Sequence, residues 1–245
     1  MHFRSNRGGI VRREDLIIET KCGETVNDDG SCGVADWSPD NIKRNLEISL
    51  KRLQLDYIDL FAMHGESDVK EVEGVIKTFE TLKSQGLIKA YGVNTFSSGF
   101  IDWVSDNKSF DYVMLDYNIM KQEREEQIDK LHAAGVGVIA GAALGQSLYT
   151  KKMKLNRNDL WYTLRSTFRF KYMRRRSRDF RWLNEVDGYT ANQLALRYVL
   201  DNDKISSATF NTTSVEHLTE NLKAVDMEMP ENIRARIKKS HIGED

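Results

Sequence analysis

The sequence predicts an α/β fold in which a parallel sheet is covered by helices. Three observations carry that reading. Short apolar runs alternate with longer amphipathic stretches through most of the 245 residues, giving six strand–helix units. The strands read as unbroken apolar runs, Val136 to Ala140 for example, as strands buried on both faces do. Several helices carry recognisable start or stop residues.

The first strand is Leu16 to Lys21, followed by a loop rich in Gly, Asn and Asp from Gly23 to Gly33. The next helix has Ser38 as N-cap, Pro39 at its first position and Ile42, Leu46, Leu50 and Leu53 on one face. Tyr57 to Met63 is the second strand, and 69–84 a helix that Gly86 terminates. Strands at Ile88 to Val93, Tyr112 to Tyr117 and Val136 to Ala140 alternate with helices at 97–107 and 122–134, the latter ending at Gly135. Thr190 and Gln193 form a capping box for a helix to Leu200, and Ile205 to Phe210 is the sixth strand. Ser214 caps a helix at 215–224 and Pro230 opens the last one.

Composition narrows the function classes. Lys and Arg number 36 against 37 Asp and Glu, a formal net charge of −1, which excludes a wholesale polyanion binder. No run of about 18 apolar residues exists to cross a membrane, and residues 1–9 lack the apolar stretch of a secretory signal. The two cysteines, Cys22 and Cys32, are too few for a disulfide framework and lack a metal-ligand set; they fit a reducing cytosol. The near-neutral charge is an average, because residues 151–182 hold twelve Lys or Arg, two Asp and seven aromatics. That segment suits a solvated face whose aromatics patch the core, a loop serving an anion, or single-stranded nucleic acid, with nucleic acid disfavoured by the acidic remainder.

Two architectures fit strict βα alternation: a doubly wound open sheet and a (β/α)8 barrel. The first strand–helix junction has no Gly-x-Gly-x-x-Gly or Gly-Lys-Ser/Thr, which argues against a nucleotide-binding doubly wound sheet. In a barrel, functional side chains belong at the C-terminal ends of the strands. Lys21, His64, Asn94, Asn118 and Asn211 stand there.

Four segments, in order, carry a resemblance: Arg13 to Gly23 (REDLIIETKCG), Leu50 to Gly65 (LKRLQLDYIDLFAMHG), Gly86 to Phe96 (GLIKAYGVNTF) and Glu216 to Asn221 (EHLTEN). Together they resemble the aldo-keto reductase superfamily over most of residues 10–225. The resemblance implies an incomplete TIM (β/α)8-type barrel, one domain over 1–245, and NADP(H)-dependent reduction of a small carbonyl compound. It also implies an Asp, Tyr, Lys and His tetrad. Lys21 matches the lysine and His64 the histidine that polarises the carbonyl. The Asp and Tyr have no match: in the family they precede the Arg-Glu-Asp segment, so the first two βα units are expected to be missing. Tyr91 and Tyr117 are expected to be packing residues. Glu19, two residues before Lys21 and therefore on its face of the strand, is expected to balance the lysine charge.

The resemblance also assigns cofactor contacts. Asn94 and Thr95 stand where the family bonds the nicotinamide amide, although Met114 replaces a common Gln and Gly141 a common stacking aromatic. Thr212 and Thr213 offer hydroxyls to a phosphate beside the helix that Ser214 caps, and Glu220 and Asn221 match a pair that contacts adenine. The alternative is a catalytically impaired or non-redox barrel, a pseudoenzyme or a lyase or isomerase using Lys21 and His64. No metal, membrane or nucleic-acid partner is expected. An incomplete barrel leaves strand edges open, so residues 1–12 are expected to cover one or the chain to self-associate.

Overall fold

A computed structural model describes residues 3–4, 10–27, 30–67, 69–150 and 171–242. The strands among these described residues are β1 (Phe3–Arg4), β2 (Ile10–Val11), β3 (Glu19–Cys22), β4 (Glu24–Val26), β5 (Cys32–Ala35), β6 (Ile58–His64), β7 (Ile88–Asn94), β8 (Tyr112–Asp116), β9 (Gly137–Gly141) and β10 (Ser207–Ala208). The α-helices are α1 (Pro39–Leu53), α2 (Val69–Ser84), α3 (Ser98–Asn107), α4 (Glu125–Ala133), α5 (Lys171–Arg176), α6 (Ala191–Leu200), α7 (Val215–Leu222) and α8 (Glu231–Ile242). Six strands form a parallel sheet in the order β10-β9-β8-β7-β6-β3; β1 pairs with β2 and β4 with β5 in two small antiparallel sheets. Among the described residues β3 and β10 are the terminal strands, and residues 3–4 and 10–12 add no strand beside β3.

The chain divides into two compact units, Met1–Met114 with Lys130–Gly137, and Leu115–Asp129 with Val138–Asp245. In the first, β3, β6 and β7 lie side by side, and α1 lies against β3. Burial in β6 is nearly continuous from Ile58 to Met63, and only His64 at its C-terminal end is exposed. Rings from β6, α2, β7 and the segment before β8 make a chain: Phe61 edge-on to Phe79 at 5.5 Å, Phe79 to Tyr91 at 5.4 Å, Tyr91 to Phe110 at 6.0 Å. Tyr91 is thus a packing residue.

The motif residues at the start of β3 and β6 meet each other. Arg13 donates from Nη2 to Asp59 Oδ2 at 2.6 Å, and the Ile18 amide donates to the same oxygen at 3.0 Å. Lys89 Nζ lies 2.9 Å from Asp59 Oδ1, while Arg13 and Lys89 both stack on the Tyr57 ring. The bonds from Lys89, Ile18 and Arg13 outweigh burial, which acts the other way, and hold the Asp59 carboxyl below its usual range.

Helix ends follow the expected chemistry. Ser38 Oγ accepts from the Asn41 amide at 3.3 Å, and Thr190 with Gln193 makes a complete capping box. Gly86 and Gly135 carry the φ values of +74° and +80° that close α2 and α4. One helix differs from expectation: α4 begins at Glu125, three residues late. Asn118 folds the preceding loop back, exchanging backbone bonds with Lys121 and accepting at Oδ1 from the Met120 amide at 3.0 Å. Asn118, a strand-end polar residue, therefore serves a turn.

In the second unit Tyr117 is buried, stacked on Tyr198 at 6.4 Å and bonded to Glu125 Oε1 at 3.0 Å. It too is a packing residue. The described part of the basic aromatic segment is ordered structure: Phe180 is buried, Arg176 lies 3.7 Å from Glu123, and Arg236 covers the Trp182 ring at 4.0 Å. Residues 151–170 lie outside the described residues. No helix among the described residues is long and apolar enough to cross a membrane.

Candidate active site

Strand register places the expected site residues. Lys21 pairs with Ala62, Ala62 with Gly92, and Gly92 with Tyr112, so these four form one row across β3, β6, β7 and β8. Two residues further along the same face, His64 pairs with Asn94 and Asn94 with Met114. Lys21 and His64 are thereby on one face at the C-terminal ends of neighbouring strands. Both line a cavity of about 190 Å³ that also takes in Cys22, Glu24, Cys32 and Arg52. Cys22 is buried and its thiol is pushed far up by that burial, which keeps it an uncharged packing group.

The Lys21 side chain is 29% exposed, and its Nζ lies 3.6 Å from Glu19 Oε2. Glu19 thus stands beside the lysine charge, as same-face spacing implies. The Asn94 amide donates to Met114 Sδ at 3.2 Å. Thr95 is buried, and its hydroxyl donates to Glu66 Oε2 at 3.0 Å while accepting from the Ser97 amide at 3.1 Å. That hydroxyl is therefore engaged in shaping the turn into α3, whereas Asn94 stays half-exposed at the strand end.

The second unit holds the other expected contacts. Thr212 and Thr213 are exposed ahead of α7, and Thr212 Oγ1 accepts from the Ser214 amide at 3.1 Å. Ser214 caps α7 by accepting from the His217 amide at 3.2 Å. Glu220 lines an open polar cavity with Thr190, Gln193, Glu216, Thr219 and Lys223. Asn221 is buried, and its Oδ1 has no hydrogen-bond partner among the described residues. Among the described residues no group of three His, Cys, Asp or Glu is placed to hold a metal.

Residues 5–242 match the Aldo/keto reductase family. The chain belongs to that family. It is 26% identical over 238 residues to the uncharacterized oxidoreductase YqkF of Bacillus subtilis, covering 96% of this chain and 76% of the relative. It is 27% identical over 224 residues to L-galactose dehydrogenase of Arabidopsis thaliana, covering 88% of this chain and 65% of the relative. Its fold is that of the aldo-keto reductase AKR11C1 from Bacillus halodurans in its holo form, with a TM-score of 0.74 at 24% identity over 94% of this chain and 74% of that one. These relatives make a general oxidoreductase function the family expectation, and the parallel sheet of the described residues matches the family's (β/α)8 barrel.

Tyr112 shares this sheet face with no motif to mark it. Tyr112 donates from its hydroxyl to Glu19 Oε1 at 3.1 Å. The signal was present only in combination: Ala62 and Gly92 are the small residues that let a ring at 112 lie across two strands, and register decides that they share its row.

Proposed function

We propose that this chain is an NADP(H)-dependent oxidoreductase that interconverts a small carbonyl compound and its alcohol, with Lys21 and His64 at the reacting carbonyl. The observation that supports it is their shared sheet face and shared cavity at the C-terminal strand ends, where this fold carries its chemistry. The nicotinamide supplies a hydride when bound. The chain's own task is to polarise the carbonyl oxygen and stabilise the negative charge that develops on it. A lysine ammonium and an imidazole N–H are both donors suited to that oxygen, and Glu19 keeps the ammonium of Lys21 in place.

The residues of the second unit fit the nucleotide on their own geometry. Asn221 Oδ1 is a buried acceptor without a partner among the described residues, which the exocyclic amine of an adenine would satisfy. Thr212, Thr213 and the capped N-terminus of α7 suit phosphate oxygens, and Glu220 faces an open polar cavity. In the first unit Asn94 is the group for the nicotinamide amide; Thr95 supports it through the turn rather than by direct contact.

A second reading is nucleotide binding without turnover. It is favoured by Tyr91 and Tyr117, each buried in packing and each with its phenol pushed above the usual range by burial. Steady-state NADPH oxidation with a panel of aldehydes and ketones separates the two. Turnover that falls at least about a hundredfold in Lys21→Met and in His64→Gln supports the reductase reading. Saturable nucleotide binding with no turnover on any carbonyl supports the second.

A further inference from the structure

We propose that Tyr112 is a positioning residue for Lys21, acting through Glu19. This rests on the reading of Lys21 as the group at the reacting carbonyl.

The three side chains form a line. Tyr112 is 5% exposed, and its hydroxyl reaches Glu19 Oε1 at 3.1 Å; the other carboxylate oxygen, Oε2, faces Lys21 Nζ at 3.6 Å. Each oxygen thus has its own partner, the phenol on one side and the ammonium on the other. A lysine has a long flexible stem and three rotatable donors, so an adjacent carboxylate that was itself free would leave the ammonium poorly aimed. Anchoring that carboxylate from behind removes its rotation and gives the ammonium one preferred place. Burial and the Glu19 charge push the Tyr112 phenol far above its usual range. It stays protonated at working pH and acts as a donor to Glu19, not as an acid.

The sheet is built to allow this reach. Tyr112 sits on β8 and Glu19 on β3, with β7 and β6 between them. The ring crosses above Gly92, where a Cβ would come within 2.5 Å of it. Ala62, the next residue in the row, presents only a methyl. The cleared path sets Tyr112 apart from Tyr117, a packing residue whose hydroxyl also meets a carboxylate.

The test uses the full chain with Tyr112→Phe, Glu19→Gln and the double variant. Phenylalanine fills the same space and loses only the hydroxyl. The expected result is that kcat falls about tenfold in Tyr112→Phe, with KM and nucleotide affinity within about twofold, as for a group displaced slightly from its reactive position. Glu19→Gln shows an equal or larger fall, and the double variant is no worse than Glu19→Gln alone, because both substitutions break one chain of contacts.

A second readout needs no turnover. Reductive methylation followed by mass spectrometry measures how readily each lysine leaves its contacts. Lys21 is expected to react about threefold faster in Tyr112→Phe and in Glu19→Gln, the size of a partly exposed ion pair, with the other lysines unchanged. Unchanged Lys21 labelling in Tyr112→Phe, or effects of the two substitutions that add, overturns the proposal. A wild-type chain without turnover refutes the reductase reading instead, and the labelling still decides the role of Tyr112.

Discussion

Asp59→Ala tests how the strand that carries Lys21 is held. Among the described residues β3 is a terminal strand, laddered to β6 alone, and Asp59 reinforces that single seam from the β6 side. The substitution removes the carboxylate from the Arg13 guanidinium, whose side chain is 15% exposed, and from the Ile18 amide just before β3. A hydrogen bond to a charged partner contributes about 1.5–3 kcal/mol, and an orphaned buried amide costs about 1–3 kcal/mol. The two losses share one site and do not simply add, so the expected destabilisation is about 3 kcal/mol. The Lys89 pair, 59% exposed on the lysine side, is screened by solvent and adds little.

The pH dependence follows from the depressed Asp59 carboxyl. A carboxyl whose folded-state pKa lies below its unfolded value of about 3.9 contributes stability that is complete above that value. The contribution is lost as pH falls through the folded-state pKa. Urea unfolding of the wild type and of Asp59→Ala, followed by tryptophan fluorescence at neutral pH and down to about pH 3, measures both effects. The difference between the two proteins is expected to shrink as acid protonates the wild-type carboxyl. A difference under about 1 kcal/mol at neutral pH, or one that grows on acidification, would show that Asp59 does not hold β3 in this way.

Other substitutions probe separate parts of the fold. Gly92→Ala places a methyl 2.5 Å from the Tyr112 ring and is expected to cost about 1–3 kcal/mol in urea unfolding; it should also raise Lys21 labelling as Tyr112→Phe does. Gln54 closes α1 with φ +55°, so Gln54→Gly is expected to raise stability by about 1 kcal/mol in the same assay. With a thiol reagent at neutral pH, exposed Cys32 is expected to react in the folded chain. Buried Cys22, with its thiol pushed far up, should react only on unfolding.

What the sequence made legible follows from the range of the interactions involved. Caps and strand cores are local: Ser38, Thr190, Gly86 and Gly135 act within a turn of their own position, and they lie at the helix ends where expected. Lys21 and His64 were legible because motif and strand-end position coincide. Asn118 was legible only as a strand-end amide; that it folds its own loop depends on the contacts of Met120 and Lys121. β10 shows the reverse effect: its ladder is two residues long, yet the Ser206 and Thr209 amides still bond β9 carbonyls on either side. The Arg13–Asp59 pair and the Tyr112–Glu19–Lys21 line join residues 46 and 93 apart in one case and the other. Such pairings depend on strand order and register, which the sequence carries only through the whole sheet.

The proposed chemistry at Lys21 and His64 requires that the chain hold a nicotinamide nucleotide. Titration of the purified chain with NADPH, read by nucleotide fluorescence, tests it most directly. Saturable binding is expected, with a dissociation constant between about 1 μM and 1 mM, weakened by Glu220→Ala and by Asn221→Ala. Fluorescence that rises linearly with nucleotide through that whole range contradicts it.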